Sequence, residues 1–200
     1  MSRWEKVRLG NYISLISGVS YSPTDVSDVA TSNHIAILRA HNIQDEGLNL
    51  DNLVYVDNRK INDGQLIRKG DILVCASSGS KHLVGKAAQA KEDMEASFGA
   101  FCKIVRTDSI YAPYLGFFFR SPRYRKTIST LAAGANINNL RNEHLGDLEI
   151  TLPPLEIQRK IAKTLDTVSE ILAMRKQQLA ELDNLIKSIF FDMFGDPVTN

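Results

Sequence analysis

Apolar and polar positions change their period once along the chain. Through the first 150 residues, short apolar runs alternate with turn residues: HIAILRA (34–40), NLVYV (52–56), DILVCAS (71–77), VGKAAQA (84–90) and AFCKIVR (100–106). They are rich in β-branched and aromatic residues and are set apart by Gly47, Gly64, Gly70, Gly79 and Gly99, the pattern of short strands punctuated by turns. A helical stretch over about 112–131, broken near Ser121-Pro122, precedes a last strand, LEITL (148–152). Strands at this spacing predict an α+β domain with a mixed or antiparallel, partly barrel-like sheet.

After Pro153-Pro154 the period becomes helical. Ile161, Leu165, Val168, Leu172, Leu179, Leu182, Ile186, Ile189 and Met193 recur in alternating steps of four and three. Taking Ile161 as a and Leu165 as d gives five seam pairs with one polar member, Arg175 at an a position. That is the signature of a coiled coil, with the arginine as a register device. A globular core asks for a wider apolar face, so the narrow stripe predicts a partner helix rather than a fold-back. Pro154 suits a first turn, and Gly195-Asp196-Pro197 a stop. At 1.5 Å per residue the seam is roughly 50 Å long. The expected division is therefore 1–152 for the body and 153–200 for the helix.

Composition adds little: 44% apolar and 24% charged residues are ordinary for a soluble protein. No apolar run has the length of a membrane span, and Met-Ser-Arg-Trp-Glu-Lys lacks the apolar core of a signal peptide. Cys75 and Cys102 sit in apolar strand-like runs and read as buried free thiols, so the chain is expected in the cytoplasm, with no membrane partner. Charge is more informative. The net +1 hides a stretch, 22–57, with six acids against Arg39 alone, and another, 109–142, with no acid at all. The second carries Arg120, Arg123, Arg125, Lys126 and Arg141, with Tyr111, Tyr114 and Tyr124 interleaved. Such segregation steers a polyanion, although a solvated helix face is the plainer reading of 120–126.

Catalytic patterns are missing. No Gly-x-Gly occurs, so there is no glycine loop of the usual dinucleotide or S-adenosylmethionine kind. Between Gly79 and Gly85-Lys86 the phosphate-loop spacing is one residue too long, and Ala87 stands where a magnesium-ligating Ser or Thr belongs. The Asn-Pro-Pro-Tyr motif of amino-methyltransferases is absent, as is any Asp or Glu followed two residues later by Lys. His34, His41, His82 and His144 show no metal-ligand spacing with one another or with the cysteines. The chain reads as a binding module, not an enzyme.

Several short motifs then carry a resemblance: Trp4-Glu-Lys-Val-Arg-Leu-Gly10, Leu38-Arg39-Ala-His-Asn42-Ile43, Lys69-Gly-Asp-Ile-Leu73, the 79–86 segment and Tyr114-Leu115. The most specific are Leu152-Pro-Pro-Leu155 with Gln158 and Ile161-Ala162, and the terminal Asp192-Met-Phe-Gly-Asp-Pro197. In this order, followed by the heptad, the chain resembles a type I restriction–modification specificity subunit: one target-recognition domain plus its spacer helix. The resemblance implies a non-catalytic subunit that reads a half-site of a bipartite double-stranded DNA target. It implies docking of adenine-methyltransferase (modification) subunits, with restriction subunits joining the full complex. No cofactor is then expected on this chain, since S-adenosylmethionine, ATP and magnesium belong to the partner subunits. Family members carry two recognition domains, so the chain is either a half-subunit that homodimerises or the amino-terminal half of a longer chain. The competing reading is a coiled-coil assembly adaptor whose globular head binds protein or peptide.

Candidate DNA contacts follow from side-chain chemistry, since Arg pairs with guanine, Asn with adenine, and Lys or Ser with phosphate. One set is the small-residue loop with Ser78, Ser80, Lys81 and His82; another is the polar loop with Asn136, Asn138, Asn139 and Arg141. Arg39 and Asn42 follow a strand. Arg120, Arg123, Arg125 and Lys126 suit phosphates better than bases.

Overall fold

The computed structural model describes residues 4–134 and 139–195. The chain divides into two compact units, with the boundary between Arg159 and Lys160.

Among the described residues the first unit contains ten strands, three short α-helices and six single 3-10 turns. Strands β2 (Ser14–Ser17), β9 (Cys102–Arg106), β6 (Ile72–Cys75) and β7 (Ala87–Gln89) form one antiparallel sheet in that spatial order. A second sheet runs β3 (Val26–Ser27), β5 (Val54–Asp57), β4 (His34–Leu38), β8 (Ala96–Phe98), with β4 and β8 parallel. β1 (Glu5–Arg8) pairs with β10 (Glu149–Leu152) as a separate antiparallel ribbon. The expected α+β class with a mixed sheet is what the chain adopts, as two open four-stranded ladders; no ladder closes into a barrel among the described residues.

β6 explains why one run, Ile72-Leu-Val-Cys75, is apolar at every position. All four side chains are buried, and the strand period of two sends them to opposite faces. Ile72 and Val74 join a core under the helices with Leu9, Val105, Leu115, Phe119, Tyr124 and Ile128. Leu73 and Cys75 join the other core, with Leu38, Phe98 and Ile104. Cys75 and Cys102 stand opposite each other across β6 and β9, free and buried. Burial pushes the Cys102 thiol up to about 12 and raises that of Cys75. The turn into β6 is pinned by Asp71, whose buried carboxylate receives Arg106 at 2.6 and 2.7 Å and the Arg68 N–H at 2.7 Å.

The helical stretch breaks where its sequence predicts. α1 (Ala112–Arg120) ends and α2 (Pro122–Gly134) begins across Ser121, whose hydroxyl accepts the Tyr124 N–H at 3.2 Å. Pro122 occupies the first helical position, where no N–H is needed. Tyr124 is fully buried and donates to the Gly85 carbonyl at 2.9 Å. Gly85 has φ +76°, and a Cβ there would lie 2.3 Å from an Ile128 methyl, so only glycine lets α2 approach. A short helix, α3 (Asn142–Gly146), and the strands β1, β2, β3 and β8 lie outside the elements that the sequence predicts.

α4 (Leu155–Phe194) starts on a lock. Gln158 is buried; its side-chain oxygen accepts the Tyr111 N–H at 2.9 Å, and its amide donates to the Pro153 carbonyl at 2.8 Å. The helix stops at Gly195, at φ +75°, whose N–H reaches the Phe191 carbonyl at 2.9 Å. Within the second unit fourteen large apolar side chains between Leu165 and Phe194 are exposed, from 38% at Leu165 to 69% at Met193. The seam letters need one correction. A step of four runs from d to a, so Leu165, Leu172, Leu179, Ile186 and Met193 take a, and Ile161, Val168, Arg175, Leu182 and Ile189 take d. Arg175 therefore stands at d, where its guanidinium donates to Gln178 at 3.0 Å. Ile171 and Leu185, also exposed, broaden the stripe on one side.

Candidate nucleic-acid interface

Three segments far apart in sequence are brought side by side at the end of β6. The Ala76 and Ser77 N–H groups donate to the Phe101 carbonyl at 2.8 and 3.0 Å, joining the 77–82 loop to the β8–β9 tip. The Leu140 N–H donates to the Ala76 carbonyl at 2.7 Å, and Ser77 bridges Asn139, which adds the segment after α2. These contacts unite three stretches, 72–91, 96–107 and 109–142, none of which contains an Asp or Glu. The basic stretch seen in the sequence thus meets two further segments without acids of their own, while Lys86 in one of them pairs with Asp45 at 3.5 Å.

The 77–82 loop is held rather than loose. Cys75 exchanges backbone bonds with Gly85 and Lys86 at its base, and the Ser80 N–H donates to the Ser78 hydroxyl at 3.1 Å. Arg125 supplies a strut from α2, donating to the His82 carbonyl at 2.9 Å and to the Val84 carbonyl at 3.3 Å. Its guanidinium thus bonds the loop backbone.

The other candidates divide by environment. Ser80, Lys81, His82, Asn139 and Arg141 are exposed around the junction, with Ser78 half-buried. Arg120, Arg123 and Lys126 are exposed on α1 and α2, and the Arg120 guanidinium lies 4.2 Å above the Phe117 ring. Asn136 and Asn138 lie outside the described residues. Asn42 leaves the candidate set: it is fully buried, accepts the Arg39 N–H at 2.8 Å, and donates to the Asn49 and Asp51 carbonyls, each at 2.9 Å. Its amide builds the turn after β4. Arg39 is half-buried and donates to the Asn52 carbonyl at 2.9 Å, while its Nε has no partner among the described residues. The Leu38 carbonyl accepts the Gly99 N–H at 2.9 Å, which sets Arg39 in sequence beside the β8–β9 tip. Two residues outside the sequence candidates also lie near the junction. Lys103 reaches Asn142 at 2.8 Å, and Phe101 stands 70% exposed at the tip. In the sequence, Phe101 reads as the start of an apolar strand, and only the turn geometry turns it outward.

Among the described residues no group of three His, Cys, Asp or Glu gathers to hold a metal, and no helix is long and apolar enough to cross a membrane. The family model for the type I restriction modification DNA specificity domain matches residues 1–184. The chain belongs to that family. Among specificity-domain relatives, the StySPI specificity subunit of Salmonella potsdam is 35% identical over 185 residues, 92% of this chain and 40% of that subunit. The EcoKI specificity subunit of Escherichia coli K12 is 34% identical over 196 residues, 98% of this chain and 42% of that one. The chain thus spans less than half the length of these relatives. In fold it is similar to the HsdS subunit of Thermoanaerobacter tengcongensis, with a TM-score of 0.67 at 22% identity, covering 98% of this chain and 45% of that one.

Proposed function

We propose that residues 1–152 of this specificity-family chain read one half-site of a bipartite double-stranded DNA target. Residues 153–200 then form the spacer that pairs with a second such helix. The observation that carries this reading is the backbone junction of three acid-free segments around the 77–82 loop. It presents serine, lysine, histidine, asparagine and arginine side chains on one held surface, which is the chemistry that pairs with phosphates and base edges. Arg120, Arg123 and Lys126, exposed on α1 and α2, are the further cations offered to flanking phosphates.

The fourteen exposed apolar side chains of α4 support pairing, because contiguous apolar surface on this scale marks an interaction face. The partner helix comes from a second copy or from a second half in a longer chain. A rigid antiparallel pair of roughly 50 Å would hold two readers apart, against a DNA repeat of about 34–36 Å. Catalysis is assigned to partners: modification subunits bring S-adenosylmethionine and methylate adenine, and restriction subunits bring ATP and magnesium. The assembly works in the cytoplasm.

The test is DNA binding by the chain assembled with its modification subunits. Lys81→Glu combined with Arg141→Glu should abolish binding to the preferred duplex while the complex still assembles. Wild-type binding by that double variant contradicts the proposed face. DNA binding that does not weaken with salt, together with capture of a protein or peptide by the head, identifies the adaptor instead.

A further inference from the structure

Phe101 has a position that the proposed function does not by itself explain. It is 70% exposed, where a phenylalanine is ordinarily interior. It is also held firmly by its backbone. Its carbonyl accepts the Ala76 and Ser77 N–H groups, the Cys102 N–H closes the turn onto Gly99 at 2.8 Å, and the Gly99 N–H is tied to Leu38. The packing behind the tip is close, since a Cβ on Gly99 would lie 3.3 Å from the Tyr21 hydroxyl. An apolar ring is thus presented from a fixed turn, with little ordering left to do on binding.

Its surroundings say what it meets. Two of the segments that meet at the tip, 72–91 and 109–142, carry Ser80, Lys81, His82 and Arg141, all hydrogen-bonding groups, and no acid, and the third brings Arg39 after Leu38. Base edges in the DNA grooves present donors and acceptors too, with one exception: the C5-methyl group of thymine is the apolar feature of the major groove. Resting on the reading of this face as the DNA-reading surface, we propose that Phe101 is a specificity-determining residue that packs against a thymine methyl in the half-site.

The experiment uses the chain assembled with its modification subunits. A duplex library is selected for binding, and each thymine of the selected half-site is then replaced in turn by deoxyuridine, which lacks only the methyl. The wild-type assembly should lose about fourfold in affinity at one thymine, the worth of one buried methyl group. Phe101→Ala should bind the selected duplex about tenfold more weakly, in line with loss of a partly buried aromatic contact. It should show no thymine–deoxyuridine difference at that position, and its unfolding midpoint should match wild type. A half-site without thymine overturns the proposal, as does deoxyuridine tolerance throughout the wild type or a difference that persists in Phe101→Ala. Loss of assembly with the modification subunits in Phe101→Ala overturns it as well, by identifying a protein contact. If the wild-type assembly selects no sequence at all, the DNA-reading role itself fails, an outcome distinct from failure at Phe101 alone.

Discussion

Replacing Arg125 by alanine separates positioning from phosphate contact. The guanidinium makes a 2.9 Å bond to the His82 carbonyl and a longer, 3.3 Å bond to the Val84 carbonyl. Bonds from a charged donor contribute about 1.5–3 kcal/mol each, and the long geometry and half-exposed side chain reduce that, so roughly 1–2 kcal/mol of loop ordering is lost. That corresponds to about 5- to 30-fold weaker binding of the preferred duplex. Because Arg125 bonds protein rather than phosphate, the slope of log affinity against log salt should not change. Nonspecific DNA should be bound nearly as well as before. A true phosphate contact behaves differently: its loss weakens all sequences alike and reduces the slope by about 0.9. Titrations of the assembled complex at several salt concentrations, on preferred and scrambled duplexes, measure both quantities. A slope reduced by about one with equal losses on both duplexes refutes the positioning role.

Gln158→Ala leaves the part-buried Tyr111 N–H and the buried Pro153 carbonyl without their Gln158 partners and should cost about 2–4 kcal/mol in a denaturant titration. With a second copy as the partner helix, aspartate at both Leu179 and Ile186 should drive the light-scattering mass of the purified chain from two copies to one, since both sit at seam positions exposed in the lone helix. Stability should fall with rising alkaline pH. Burial holds the Cys102 thiol up at about 12 in the folded chain, well above its ordinary value near 9, so above pH 9 the unfolded state binds fewer protons. The contribution is fully present below about pH 8 and is lost at about 1.4 kcal/mol per pH unit as pH rises towards 12. Paired replacement of Cys75 and Cys102 by alanine should reduce that slope in chemical denaturation curves, leaving the part due to the buried Tyr21, Tyr114 and Tyr124 hydroxyls, which burial also raises.

The elements with the strongest periodicity were the most legible. The 40-residue helix α4, its proline entry and glycine exit, and the break at Ser121 follow from local rules that tertiary packing has no reason to override. β8 was missed because three residues, Ala-Ser-Phe, carry no alternation, and their pairing with β4 joins segments about sixty residues apart. The site was legible as chemistry but not as geometry. The sequence marks Arg125 and Asn42 as polar candidates, yet both turn inward to the backbone, because an unmade backbone bond near the interior is costly. Phe101 carries the opposite lesson. Its apolar character argues for burial, and the turn after Gly99 exposes it.

The central claim is that this chain supplies one reader of a two-part DNA site. Its most direct test is selection from a randomised duplex library by the chain assembled with its modification subunits, followed by sequencing of the bound DNA. The account predicts two short specified blocks separated by an unspecified gap, and a gap that changes while the blocks persist when whole turns are added to α4. A single contiguous block, or no enrichment above input, contradicts it.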